Sequence, residues 1–210
     1  MWYCQVPDST IPLKLADPDR SDPAQHRSRL LEGMAEAVAA KGYADTTIAD
    51  IVGAAGVSRR TFYEQFATKA ECFIALYEAA SHNALAVLRG AIDRGHPWQT
   101  QVEQALAAYL AGMAQNPALL RTLFIEILGL GAEGLAARRR VNQEICSFML
   151  EVVNGAGKRK TPFTREMAVA VVGGINELVL QAIEQGKVDR LAELAAPAGQ
   201  LVRAVTQAGS

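Results

Sequence analysis

Apolar side chains recur along this chain every three or four residues, the spacing that places them on one face of an α-helix. Leu30, Met34 and Val38 follow one another at four-residue intervals, and Gly42 ends this first run. Similar runs, separated by glycine and proline, fill the rest of the chain. They predict helices at about residues 24–42, 47–55, 58–66, 68–94, 98–115, 117–129, 133–154, 164–186 and 190–207. No alternating pattern of useful length predicts a strand, so the predicted fold class is all-α.

Two of these predicted helices are short and are joined by a tight turn. Thr47 stands three residues before Asp50, the spacing of a capping box, in which two side chains satisfy free N–H groups at a helix start. Gly56 ends the first short helix, and Ser58 is a good N-cap for the second. A connection this short makes the helices cross steeply, which predicts a helix-turn-helix.

The second short helix is predicted to present a polar face that suits the major groove of DNA. Phe62 and Phe66 lie one turn apart and are expected to face the core, which turns the other side chains outwards. Those outer residues are Arg59, Arg60, Thr61, Tyr63 and Glu64. Arginine can bond a guanine edge or a phosphate, and tyrosine can bond a phosphate or pack on a thymine methyl group. The alternative is a solvated face without a partner.

Thr47 and Lys69, at the starts of two helices, are expected to hold phosphate groups. The stretch TTIADIVGAAGVSRRTFYEQFATKAECFIAL, from Thr46 to Leu76, closely resembles the DNA-binding segment of the TetR family of bacterial regulators. The shared features are the threonine before the first short helix, the AGVS turn, the F-Y-x-x-F helix and the lysine that opens the next helix. Carried over by position, the DNA contacts would be Thr47, Ser58, Arg59, Arg60, Thr61, Tyr63 and Lys69.

The resemblance also implies an overall organisation. Proteins of this family are homodimers that bind palindromic operators, usually as repressors released by a small ligand. Residues 24–70 are predicted to form the helix-turn-helix DNA-binding domain, and residues 71–210 a larger helical domain for ligand binding and dimerisation. Residues 1–23 are rich in proline and lack periodicity, so they are predicted to be a disordered or loosely attached extension. An arm that touches a polyanion is the alternative.

Two groups of apolar residues in the larger domain are candidates for binding. The last two helices are more apolar than one packed face requires, which predicts a four-helix bundle between two subunits; an intramolecular core is the alternative. The dimer candidates are Val172, Ile175, Val179, Ile183, Leu201 and Val205. Bulky residues of the central helices, and one polar residue in an apolar stretch, could line a ligand pocket or be core. They are Trp98, Tyr109, Met113, Phe124, Phe148, Met149 and Asn176.

The net charge of the chain conceals a local excess of positive charge. The 21 basic and 22 acidic residues give a net charge of −1, which taken alone argues against nucleic-acid binding. Residues 58–69, however, carry three basic side chains against one acidic one, so a small basic tip is predicted on a mildly acidic body.

Other chemistries are not predicted. The three cysteines are far apart and no two histidines have metal-ligand spacing, so no metal or cofactor is expected and a reducing cytoplasm is favoured. Phosphate-loop, HExxH and GxSxG motifs are absent, which argues against an enzyme. The longest apolar stretch, residues 167–175, is too short for a membrane span. The predicted function is a ligand-released repressor; an activator, a ligand-independent regulator or a helical carrier of apolar molecules are the alternatives.

Overall fold

The computed structural model describes residues 23–92, 95–155 and 162–207, and within these ranges it contains helices and no strand. The α-helices in the described ranges are α1 (Pro23–Asp45), α2 (Ile48–Ala55), α3 (Arg59–Gln65), α4 (Lys69–Gly90), α5 (Trp98–Ala114), α6 (Pro117–Phe124), α7 (Ala132–Gly155), α8 (Arg165–Glu184) and α9 (Ala195–Gln207). The all-α prediction is confirmed. The predicted extension, residues 1–23, lies outside the described residues except for Pro23, which begins α1.

Two helices that the sequence pattern predicts as continuous are divided. The predicted helix at 117–129 ends as α6 at Phe124, and a 3₁₀ helix, Glu126–Leu130, follows it. The predicted helix at 190–207 is a 3₁₀ helix, Val188–Leu194, followed by α9. Proline is tolerated in the first turn of a helix because its missing N–H has no intrahelical partner there. This explains why α9 begins only two residues before Pro197.

The first three helices form a small head around a tightly packed core. Leu30 and Met34 of α1 and Phe62 of α3 are fully buried in it. Gly33 lies where α1 crosses α2, and a Cβ atom placed on it would be 2.6 Å from the carbonyl oxygen of Ile51. The two backbones are therefore in direct contact, which fixes the helix-turn-helix against α1.

The remaining helices form a larger body that shares packing with the head. The buried cluster of the head continues into the body through Ile127, Ala137 and Val141. One helix of the described ranges, α8, is long and apolar enough to cross a membrane by length and composition alone, and a third of it is buried inside the chain. The nine-residue stretch recognised in the sequence is thus part of a longer apolar helix.

Candidate nucleic-acid interface and ligand cavity

A complete capping box begins α2. Thr47 Oγ1 accepts a hydrogen bond from the Asp50 backbone N–H at 3.2 Å, and Asp50 Oδ2 accepts one from the Thr47 backbone N–H at 2.8 Å. Lys41 Nζ lies 2.8 Å from the other carboxylate oxygen of Asp50. The hydrogen bonds from Lys41 and Thr47 hold the pKa of the Asp50 carboxyl well below its usual range. The predicted capping box is confirmed, and it fixes the N-terminus of α2 with Thr47 exposed.

The turn between α2 and α3 is held at both ends. Gly56 adopts the left-handed conformation with φ of 61°, which costs glycine little, and ends α2. Ser58 Oγ accepts a hydrogen bond from the Thr61 backbone N–H at 3.0 Å and so caps α3. Arg29 of α1 donates from Nη2 to the carbonyl oxygen of Gly56 at 2.9 Å. The turn is therefore tied to α1 by a side chain that lies 27 residues away in the sequence.

The outer face of α3 presents the side chains that the helical phase predicts. Phe62 and Phe66 are buried, whereas Arg59 and Arg60 are exposed and Tyr63 is 59% exposed. The Arg60 guanidinium lies 3.0 Å from Glu64 in an exposed pair one turn apart. Such pairs contribute little stability, so Arg60 can exchange this partner for a base or a phosphate at small cost.

The side chain of Lys69 forms hydrogen bonds with backbone carbonyl oxygens of its own chain. Its ammonium group donates to the carbonyl oxygens of Tyr43 at 2.9 Å and Thr46 at 2.7 Å, with Ala44 O at 3.4 Å. It also lies 4.2 Å from the centre of the Tyr43 ring. An ammonium group has three N–H donors. All three are thus directed at the chain between Gly42, where the helical conformation of α1 is interrupted, and the start of α2. The sequence pattern did not predict these contacts.

The body contains an apolar cavity of about 70 Å³ between α4, α5, α7 and α8, here called the body cavity, which opens to the solvent. Four of the predicted ligand residues line it, namely Tyr109, Phe148, Met149 and Asn176. A more polar cavity, here called the mouth, adjoins it, shares Phe148 with it and is lined by Trp98. Met113 lines a separate cleft between α4, α5 and α6, and Phe124 packs in the core around Leu110. The structure thus brings five of the seven candidates together.

The predicted dimer residues differ in exposure. Val172, Ile175 and Val179 are buried within the chain, and the first two line the body cavity. Ile183, Leu201 and Val205 are half-buried. Because α8 is apolar on more than one side, the sequence pattern alone did not distinguish its inner face from its outer face. Exposed apolar surface on α8 is provided instead by Met167 and Val169, which are 39% and 53% exposed.

Comparison with known proteins agrees with the helix-turn-helix geometry. Residues 30–76, which contain α2, α3 and their turn, match the family model described as bacterial regulatory proteins of the tetR family. The helix-turn-helix of this chain is thus a DNA-binding segment of the TetR type. This match supports the coarse function of a DNA-binding transcriptional regulator. The comparison with curated proteins finds no match.

Solved structures share the fold of this chain along most of its length. The fatty acid degradation regulator FadR from Bacillus halodurans is 18% identical, with a TM-score of 0.73 over 84% of this chain and 93% of its own. FadR from Bacillus subtilis, solved in complex with stearoyl-CoA, is 16% identical, with a TM-score of 0.72 over 83% and 96%. The regulatory protein TetR from Rhodobacter sphaeroides is 22% identical, with a TM-score of 0.66 over 84% and 98%. At these identities the likeness shows the fold.

Two arginines that position the TetR-family helix-turn-helix were missed in the sequence. Arg29 bonds the Gly56 carbonyl, and the Arg27 guanidinium lies 4.6 Å from the centre of the Phe66 ring. Both belong to the polar part of α1, where charged residues look like ordinary solvent-exposed positions. Their partners lie across the head, so the helical period carried no signal for them.

Histidine, cysteine and acidic side chains, which commonly bind metal ions, are dispersed in the ranges that the structure describes. There, no group of three or more histidine, cysteine, aspartate or glutamate side chains could hold a metal ion. Cys72 and Cys146 are both buried, and burial raises the pKa of the Cys72 thiol to about 12. A thiol of this kind is a poor nucleophile near neutral pH.

Proposed function

We propose that this protein is a homodimeric repressor of the TetR family that binds a palindromic operator through α3 and is released when a small ligand occupies the body cavity. The observation that carries the DNA-binding part is the exposed outer face of α3, held rigidly by its caps and by Arg29. Rigid presentation matters because a reading helix must keep its side chains in register with base edges.

The proposed contacts divide into base readout and phosphate binding. Arg60 and Tyr63, whose side chains are exposed on the outer face of α3, are proposed to enter the major groove. Arg59 and Thr61 flank them on the same helix. Thr47 and Ser58, at the N-termini of α2 and α3, are proposed to bind phosphate oxygens. Lys69 is proposed to fix the chain between Gly42 and α2 rather than to bind DNA, because its three N–H donors bond carbonyl oxygens there.

The proposed dimer joins the outer faces of α8 and α9. Val169 and Met167 expose apolar surface on α8, and Gly173 has open space where a side chain would be. The half-buried residues Leu201 and Val205 of α9 would extend this surface. An isologous four-helix bundle would cover it and place the two α3 helices on one side, as a palindrome requires. Burial in this interface would also account for the apolar character of α8.

The proposed ligand occupies the body cavity, whose lining is almost wholly apolar. The stearoyl-CoA complex of a protein with the same fold supports a ligand with a hydrocarbon part. A ligand that favours the released arrangement of the two heads by a few kcal/mol would lower operator affinity by orders of magnitude. We further propose that the protein acts in the cytoplasm, where its operator lies, and that it has no catalytic activity.

Binding to genomic fragments from the protein's own promoter region tests the DNA-binding proposal. Affinity should fall steeply as salt rises, because phosphate contacts release counterions. Arg60→Ala and Tyr63→Ala should each weaken operator binding by about 1–3 kcal/mol without loss of helical content. Arg190→Ala is a matched control, because it removes an exposed arginine–glutamate pair from the body. Equal affinity of both α3 variants and the parent would contradict the assignment of α3.

Sedimentation tests the dimer separately. The parent chain should sediment at micromolar concentration as twice its 22.5 kDa mass. Val169→Glu should produce monomers, because it places a charge in the proposed bundle. Val87→Glu is the matched control, since Val87 is 45% exposed on α4, beside a cleft formed with α5 and α6. A parent chain that sediments only as a 22.5 kDa species would contradict the dimer.

A further inference from the structure

Two apolar spaces of the body meet at one side chain. The first is the body cavity, and the second is the cleft between α4, α5 and α6, lined among others by Val87, Met113 and Leu120 and here called the α4–α6 cleft. Among the described residues that line these two spaces, Tyr109 is the only one common to both. Tyr109 therefore borders both spaces.

Packing alone holds the Tyr109 ring in this position. On one side it packs against the cluster that contains Leu110 and Leu120, and on the other against the cluster that contains Leu85 and Leu88. Within the described part of the chain, no hydrogen bond holds its hydroxyl group. Burial raises the pKa of Tyr109 to about 12, so the group is neutral at physiological pH. Replacing or turning the ring would break no hydrogen bond within that part of the chain.

The polarity of the surrounding spaces indicates how a ligand would lie. The body cavity presents apolar side chains, whereas the mouth adds Arg89, Glu151 and other polar groups. The Arg89 guanidinium lies 5.5 Å from the centre of the Phe148 ring, at the junction of the two. A molecule with a polar head and a hydrocarbon chain would thus leave its head at the mouth and direct its chain towards Tyr109.

We propose that Tyr109 sets the length of the hydrocarbon chain that the body cavity accepts, by closing its inner end against the α4–α6 cleft. The inference rests on the proposed ligand-binding function and adds its specificity determinant. Up to the limit set by the ring, each buried methylene group should raise affinity about fourfold. Beyond that limit, further methylene groups find no space, and affinity should stop rising.

Binding of straight-chain saturated fatty acids, from octanoate to stearate, tests this proposal. Tyr109→Ala removes the ring and should move the limit to longer acids, which should then bind on the order of tenfold tighter than to the parent chain. Tyr109→Leu, a smaller change of volume, should move the limit in the same direction and serves if the alanine variant folds poorly. Tyr109→Phe keeps the ring and should restore the parent limit. The matching n-alcohols measure the contribution of the charged head.

Three results of these binding experiments would overturn three different claims. A parent chain that binds operator but none of the acids or alcohols would overturn the hydrocarbon ligand class and this inference, while leaving the DNA-binding proposal intact. Binding with the same length limit in the alanine and leucine variants would overturn the role of Tyr109 alone. A limit that shifts equally in Tyr109→Phe would overturn the ring as the barrier and assign the effect to the hydroxyl group.

Discussion

The carboxylate of Glu126 accepts a hydrogen bond from the backbone N–H of Tyr43, with 3.0 Å between Oε2 and the nitrogen. Tyr43 follows Gly42, whose φ of 77° and ψ of 164° interrupt the helical conformation of α1. The other carboxylate oxygen lies 3.7 Å from Arg121 of α6. One side chain from the body therefore holds the chain just before the helix-turn-helix begins.

Removing this link should loosen the head from the body. Glu126 is mostly buried and its bond is charge-assisted, so Glu126→Ala should lower the free energy of unfolding by about 1–2 kcal/mol. Operator affinity should also fall, because the position of α2 and α3 is less well defined. Glu126→Gln retains an acceptor oxygen, so it should reduce the free energy of unfolding and the operator affinity less than Glu126→Ala does. Urea denaturation and operator titration measure the two effects.

Glu193→Ala, which removes an exposed carboxylate of the body, is the control for Glu126. It should leave both quantities close to the parent values, since exposed pairs contribute little. Parent-like operator affinity and stability in Glu126→Ala would show that the link does not position the head.

Lys69 can be tested through the salt dependence of operator binding. A lysine that contacts a phosphate adds about one to the slope of log affinity against log salt concentration. Because its N–H groups bond carbonyl oxygens in the chain, Lys69→Met should leave the slope unchanged while lowering the free energy of unfolding. Arg59→Met, on the exposed face of α3, should reduce the slope. If Lys69→Met reduces the slope of log affinity against log salt concentration, Lys69 contacts a phosphate after all.

The sequence predicts local features of this head better than its long-range contacts. The capping box of Thr47 and Asp50 was predictable because its two residues lie within one turn, and both side chains bond backbone groups nearby. The bond between Glu126 and Tyr43 spans 83 residues, so no periodicity or spacing marks it. A glutamate after a helix looks like a solvated residue until the fold brings it to a backbone N–H.

Among the candidate site residues, too, some orientations could be predicted from the local sequence and others could not. The outward direction of Tyr63 follows from helical phase once Phe62 is assigned to the core. For α8, phase does not decide, because apolar residues surround the helix and Val172 could face either a partner or the body. Only the packing of α8 against α7 assigns Val172 to the body cavity and leaves Val169 outside.

Gly33 should be intolerant of any side chain. Its Cβ would lie 2.6 Å from Ile51 O and 2.7 Å from Ala55 N, both backbone atoms that cannot move aside without separating α1 from α2. Gly33→Ala should destabilise the head by roughly 1–3 kcal/mol, as overpacking does in other cores. Thermal unfolding followed by circular dichroism measures this effect.

Gly53 of α2 is the matched control, since a Cβ atom placed on it would have nothing within 4 Å. Gly53→Ala should raise stability by up to about 1 kcal/mol, because alanine favours the helix interior. A loss of stability in Gly33→Ala and a gain in Gly53→Ala would distinguish the effect of close packing from that of helix propensity. Equal effects at the two positions would contradict the close approach of α1 and α2.

Asp50 should make the stability of the head depend on acid. Its folded-state pKa lies below the ordinary value of 3.8, because Lys41 and Thr47 bond the ionised carboxylate. A lowered folded-state pKa stabilises the fold above the unfolded-state pKa, and this contribution is lost as pH falls through the folded-state pKa. The melting temperature of the parent should therefore exceed that of Asp50→Asn at neutral pH, and the difference should shrink as pH falls below about 4.

Lys41→Met separates the two causes of this dependence. It removes the Lys41 hydrogen bond, the larger cause, but leaves the hydrogen bonds from Thr47, so its pH dependence should lie between those of the parent and Asp50→Asn. The comparison uses differences between variants, because other carboxylates titrate in the same range and contribute equally to all three chains. A melting-temperature difference between parent and Asp50→Asn that stays constant from neutral pH into acid would mean that the charge of Asp50 does not stabilise α2. The capping box would then act through geometry alone, and Lys41→Met would leave the pH profile of the parent unchanged.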